Sequence, residues 1–409
     1  MMQRKMLIAV LTSTAMLLSA CHDDDHDTYN SGDNIPKNNI ANPVVATPTA
    51  YNLTDMSATA GQSVVMTYKM LGINNKEVQA TALVFTPKTA PPAKGWPIVV
   101  WAHGTTGVAD ICAPSRSQLN SYIKAMIDGL LAAGYVVVAP DYEGLGEPAN
   151  NELHPFLNVK SEAFSITDAV VAARNYLGNK VSNRWMTVGH SQGGHAALSA
   201  AQYQSRAQLD YKGTVAVAPA SNLQLILLAG ESLAAQQTDL TDKITTLASL
   251  DTFTALITAG LRNPNPSLQY SQVFKSPTDK IADNAETDCY PSLEQEFGAD
   301  MNTYAKDNAD DITNYPRTQS GFMTLSPVKK FLDTDSQPLQ VKISTPIIIY
   351  QGVLDTTVPK VATDTLLSGE AAKNSSISYR TGATWDHGTA YVLNIPNILT
   401  DVQTLMPIQ

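Results

Sequence analysis

The sequence is short of charge and of aromatic side chains, and the charge it does carry has the wrong sign for nucleic acid. Of its 409 residues, 16% are Asp, Glu, Lys or Arg and 7% are aromatic, with a net charge of −10. Removing the first 20 residues takes away Arg4 and Lys5 but no acid, so the remainder carries −12. No basic footprint is left to neutralise phosphates, which excludes a nucleic-acid partner. Internal repeats are absent, so the chain is not a solenoid. No His/Cys/Asp/Glu group has the spacing of a metal site, and "HDDDHD" at 22–27 reads as a solvated polar run. Neither a metal nor a cofactor is expected. Cysteine is scarce too, with Cys21, Cys112 and Cys289 the only three.

The N-terminus also lacks a run long enough to span a bilayer. Met6 to Leu18 is apolar but short, and it follows the positive pair Arg4-Lys5, which is the pattern of a cleaved export signal. It ends in Leu18-Ser19-Ala20-Cys21, which resembles the lipobox of bacterial lipoproteins. That resemblance implies a lipidated Cys21 as the mature N-terminus. His22, in place of Asp, points to the outer membrane. The alternative is an ordinary secretory signal with a chance cysteine. Residues 1–20 are therefore expected to be a signal peptide. Residues 21–43, rich in Asp, Asn and Gly, cannot bury a core and are expected to be a flexible tether. In an exported protein with Cys21 lipidated, Cys112 and Cys289 remain as a disulfide pair.

What is there is apolar and ordered. Residues of the set AVILMFWYC make up 44% of the chain, enough for one large domain with insertions. "SVVMTYKML" and "EVQATALVFTP" alternate around a Gly/Asn turn, as an antiparallel hairpin does. "PIVVWAH", "YVVVAPD", "RWMTVGH", "TVAVAPA" and "PIIIYQG" are continuous β-branched runs, expected of strands buried on both faces. Amphipathic stretches ending in Gly134 and Gly178 separate some of them. Strand–helix alternation argues an α/β fold with a mostly parallel sheet covered on both sides. Residues 221–342 break the rhythm, with helical patterns followed by a polar, Asp/Asn/Tyr-rich part. We read them as a cap inserted between two parts of the core, 44–220 and 343–409, the alternative being a separate domain.

Within this frame Gly189-His190-Ser191-Gln192-Gly193 fits G-x-S-x-G between an apolar strand and a small-residue helix. A serine lifted above the sheet edge on a strand-to-helix turn needs strained backbone. Side chains two before and two after it would clash, so glycine is required there. A tight turn without chemistry is the bland alternative. A serine hydroxyl also needs a base, and the base needs an orienting acid. His387 in "TWDHGTAY" follows the last strand pattern and comes after the serine, so it is the candidate base. His103 and His154 lie in loops, and His190 and His195 lie on the elbow itself, pointing away from the serine. Asp355 follows "PIIIYQG" and lies between serine and histidine, which makes it the candidate acid; its alternative role is to cap a turn. Asp333 and Asp335 precede that strand, and Asp386 is too close to the base in sequence. Oxyanion donors are expected at the backbone N–H of Gln192 and of Thr105 in "HGTTG", with Gly104 and Thr106 as neighbouring choices.

Taken in order, "WAHGTTGVADICAPS", "PDYEGLG", "GHSQGG", "QGVLDTTVP" and "DHG" resemble the secretory lipase family of α/β-hydrolases, from about Thr81 to the C-terminus. The resemblance implies an α/β-hydrolase core with a mainly helical cap, a triad of Ser191, Asp355 and His387, and cofactor-free hydrolysis of an ester or lipid substrate. Expected readings are therefore an exported, membrane-anchored lipase or esterase; a serine peptidase or acyltransferase on the same fold; or an inactive surface-binding lipoprotein.

Overall fold

The computed structural model describes residues 35–149 and 151–409. The expected signal peptide, Cys21 and most of the expected tether lie outside the described residues. A two-residue edge strand, β1 (Thr49–Ala50), precedes the hairpin of β2 (Ala60–Leu71) and β3 (Glu77–Pro87). The six strands that follow run parallel to one another: β4 (Trp96–Ala102), β5 (Val136–Pro140), β6 (Val181–His190), β7 (Asp210–Val217), β8 (Ile347–Gly352) and β9 (Ile377–Gly382). The sheet order is β1-β2-β3-β5-β4-β6-β7-β8-β9, with β3 antiparallel to β5.

The continuous apolar runs are explained by burial on both faces. Along β4, Ile98, Val100 and Ala102 enter one core, while Val99 and Trp101 enter the other. The helix α1 (Ser121–Ala132) covers the second face with Met126 and Leu130. The helix α2 (Val159–Leu177) covers the first with Phe164 and Ala169. Side-chain caps start both helices. Asn120 accepts from the N–H groups of Tyr122 and Ile123, and Asn158 accepts from those of Lys160 and Ser161. Helix α2 stops at Gly178, whose φ of +60° no β-branched residue would tolerate. The helix α3 (Gln192–Tyr203) follows β6 directly.

Between β7 and β8 the chain leaves the sheet. The helices α4 (Leu223–Gln236) and α5 (Leu240–Arg262) join shorter ones around a separate core that includes Leu227, Leu256, Phe274 and Phe297. Val108, Phe156, Leu157 and Val358, from loops that follow β4, β5 and β8, belong to the same cluster. This core therefore sits over the C-terminal edge of the sheet. Helix α5 carries threonines at buried positions with their hydroxyls satisfied, because Thr252, Thr254 and Thr258 each donate to the carbonyl four residues earlier at 2.7–2.8 Å.

One expectation needs correction, and one helix has no clear pattern in the sequence. The polar part of 221–342 contains an 18-residue helix, Tyr290–Asp307, which buries Leu293, Phe297, Met301 and Ala305. One apolar residue every fourth position is enough to hold it, although its polar remainder hides the pattern. The end of the expected tether is also docked rather than free. The backbone N–H of Asn38 donates to the Arg206 carbonyl at 2.9 Å, and that of Lys69 donates to the Pro43 carbonyl at 2.8 Å. The Asn38 amide donates to Asp168 at 2.8 Å, beside the buried two-point pairing of Asp168 with Arg206. A stretch poor in apolar residues is thus held by polar contacts.

Candidate active site

Strand β6 ends at His190 and α3 begins at Gln192, so Ser191 is the single residue of the turn. Its φ of 61° and ψ of −122° are strained for a residue with a side chain, a cost on the order of 1–3 kcal/mol. The surroundings impose it. The Ser191 N–H donates to the Val217 carbonyl of β7 at 2.9 Å, and its carbonyl accepts from the His195 N–H at 3.1 Å. A Cβ on Gly189 would stand 2.0 Å from the Gly193 oxygen, and one on Gly193 would stand 1.9 Å from the Ala102 oxygen. Both flanking glycines are thus required by close backbone approach.

The candidate base and acid meet. His387 Nδ1 lies 2.8 Å from Asp355 Oδ2. Asp355 is buried, and its Oδ1 accepts from the N–H groups of Thr357 (3.0 Å) and Val358 (2.8 Å). The loop after β8 therefore fixes the carboxylate independently of the histidine. The other aspartates are occupied elsewhere. Asp386 is exposed and caps its own turn through the Thr389 N–H at 2.7 Å. Asp333 pairs with Lys329, and Asp335 pairs with Lys330.

The two candidate oxyanion donors follow neighbouring parallel strands, β4 and β6. Gln192 opens α3, where first-turn N–H groups have no intrahelical acceptor and the helix dipole favours negative charge. In "HGTTG", His103 donates from Nδ1 to the Gly104 carbonyl at 2.7 Å. A trans peptide sets the next N–H opposite its carbonyl, so the Thr105 N–H points away from His103. Thr105, Ser191 and Gln192 line one cavity of about 290 Å³. Its far wall is apolar, with Leu223 and Leu227 of α4 and Leu250 and Phe253 of α5. A disulfide between Cys112 and Cys289 ties the segment after this loop to the start of the helix Tyr290–Asp307, as expected from the cysteine count. The Tyr290 N–H also donates to the Thr106 carbonyl at 2.8 Å.

Sequence reasoning misses the contacts that His190, Glu162, His154 and His195 make around the turn. His190 does not simply point away: its ring centroid lies 4.7 Å from that of His387, and its Nε2 donates to the His387 carbonyl at 2.9 Å. Behind the serine, the Gln192 amide donates to Glu162 Oε1 at 2.9 Å and to His154 Nε2 at 2.8 Å. His195 Nδ1 lies 2.5 Å from Glu162 Oε2. His154 can accept because it is neutral; burial pushes it down to about 4 against the raising effect of Glu162. Its Nδ1 donates to the Glu143 carbonyl at 2.8 Å. A glutamate among apolar and small residues of α2 is the only sequence signal of this network.

The model of the secretory lipase family matches residues 115–404. No curated protein matches the chain significantly. Among solved structures, the closed state of Candida antarctica lipase A is similar with a TM-score of 0.67 and 17% identity, over 90% of this chain and 82% of that one. A rice cell wall degrading esterase, LipA from Xanthomonas oryzae, has a TM-score of 0.63 and 20% identity, over 84% of this chain and 90% of that one. The fold is that of the α/β-hydrolases, and the chain, a carboxylic ester hydrolase, belongs to the secretory lipase family.

Proposed function

We propose that the protein cleaves its ester through an acyl-enzyme on Ser191. The observation that carries this reading is the strained Ser191 turn at the same sheet edge as the His387–Asp355 pair. His387 takes the serine proton as the hydroxyl attacks the ester carbonyl, then gives it to the leaving alcohol. Asp355 holds the imidazole with its Nδ1–H bonded, leaving Nε2 free to act as base. The N–H groups of Gln192 and Thr105 stabilise the oxyanion. Water repeats the sequence and releases the acid. The segment 221–342 acts as a cap, and the hydrocarbon part of the ester occupies the cavity against α4 and α5. A panel of p-nitrophenyl esters from short to long acyl chains, with Ser191→Ala as control, tests this; hydrolysis that survives in the variant would refute it.

The family is secretory, which supports export. The finer reading is that Cys21 is lipidated and anchors the enzyme to the outer membrane. More than one acyl chain is needed for firm anchoring, and diacylglycerol with an amide-linked chain supplies that. Fractionation of the wild type beside Cys21→Ser decides it. A variant that still partitions with membranes would leave the segment an ordinary signal peptide.

A further inference from the structure

We propose that Glu162 and His195 are positioning residues for the Gln192 backbone N–H, with His195 held as an imidazolium that donates from both ring nitrogens. The inference rests on the acyl-enzyme reading above, in which that N–H receives the oxyanion. Neither side chain belongs to the triad.

The protons follow from the partners. His195 is fully buried in the first turn of α3. Its Nε2 lies 3.1 Å from the carbonyl oxygen of Ser336. A carbonyl only accepts, so Nε2 carries a hydrogen. Its Nδ1 faces Glu162 Oε2 at 2.5 Å. The other Glu162 oxygen, Oε1, already accepts from the Gln192 amide at 2.9 Å and from the Leu157 N–H at 3.2 Å. Two donors on one oxygen favour the ionised carboxylate, which leaves the shared proton on Nδ1. The ring is then charged and bonded at both ends.

This pair fixes the residue after the nucleophile. Both neighbours of the Gln192 amide nitrogen, Glu162 Oε1 and His154 Nε2, are acceptors. The amide can therefore sit one way round only. Among the described residues its Oε1 is buried without a hydrogen-bond partner, which costs about 1–3 kcal/mol. A flip would set the amide oxygen against the carboxylate, so Glu162 holds the orientation. Through Ser336 the same ring ties the elbow to the chain returning from 221–342 towards β8. A buried ion pair adds little to stability over apolar packing of the same volume. Its consequence is geometry: the first residue of α3 has no freedom to shift the N–H.

The test has two independent readouts. In protein labelled with ¹⁵N-histidine, the His195 ring at pH 8 should give the nitrogen signature of an imidazolium, and Glu162→Gln should convert it to a neutral tautomer. With p-nitrophenyl butyrate, Glu162→Gln should lower kcat between about 10- and 100-fold with KM within about threefold, since misplacing one oxyanion donor has effects of this size. Glu162→Asp should recover part of the loss. A neutral His195 in the wild type, or a folded Glu162→Gln with wild-type kcat, would overturn the proposal. Hydrolysis that does not depend on Ser191 would fail the acyl-enzyme reading instead, and the nitrogen spectrum, which needs no turnover, still decides the protonation of the pair.

Discussion

His190 Nε2 donates to the carbonyl oxygen of His387, so the residue before the candidate nucleophile holds the loop of the candidate base. The His190 ring also stacks on Tyr391, with centroids 5.3 Å apart. Desolvation, and then the neighbouring His387, push His190 down to about 3, which keeps it a neutral donor at working pH. His190→Phe retains a ring for Tyr391 but loses the hydrogen bond. Losing one such bond is worth about 1 kcal/mol, so kcat should fall roughly 5- to 10-fold. Steady-state kinetics check this, and an unchanged kcat would show that the loop needs no such tie.

Asp355→Asn should reduce kcat by roughly 10³- to 10⁴-fold, because an amide cannot fix the same imidazole tautomer. His387→Ala should cost at least as much. Asp386→Asn should leave kcat within a few-fold of wild type, since Asp386 caps an exposed turn. A crippled Asp386→Asn beside an active Asp355→Asn would reverse the assignment of the acid.

Stability should depend on pH through His154. Its ordinary value is 6.5, and burial lowers it to about 4 in the folded protein. Between those values the unfolded chain takes up a proton that the native one refuses. The neutral form's stability is therefore fully present above about pH 6.5, is lost as pH falls towards about 4, and levels off below. The slope from this one group approaches about 1.4 kcal/mol per pH unit inside the window. Denaturant midpoints at pH 7, 5.5 and 4.5 should fall more steeply for wild type than for His154→Asn. Parallel curves would remove His154 from the account.

The sheet was legible because strands buried on both faces leave continuous β-branched runs, as in "PIVVWA" and "PIIIYQG". The Ser191 turn was legible for a steric reason: only glycine fits at 189 and 193, and that need is written in the spacing. Asp355 and His387 could be picked by chain order after the last strands. The contact of His190 with His387 could not, since 197 residues separate them and no local pattern records which way a ring turns at a strand end. Glu162 was hidden for a related reason. In a helix that also carries Lys160, Asp168 and Arg174, one more carboxylate reads as a solvated edge until its partners, brought from α3, are known. The helix Tyr290–Asp307 was missed because its buried stripe is one residue wide.

The central claim is that Ser191 is the nucleophile. Incubation with a fluorophosphonate ester, followed by peptide mapping by mass spectrometry, tests it most directly. The account predicts one adduct per chain, located on Ser191, with loss of ester hydrolysis in step with labelling and no adduct in Ser191→Ala. An adduct on another residue, or full hydrolysis by a stoichiometrically labelled protein, would contradict it.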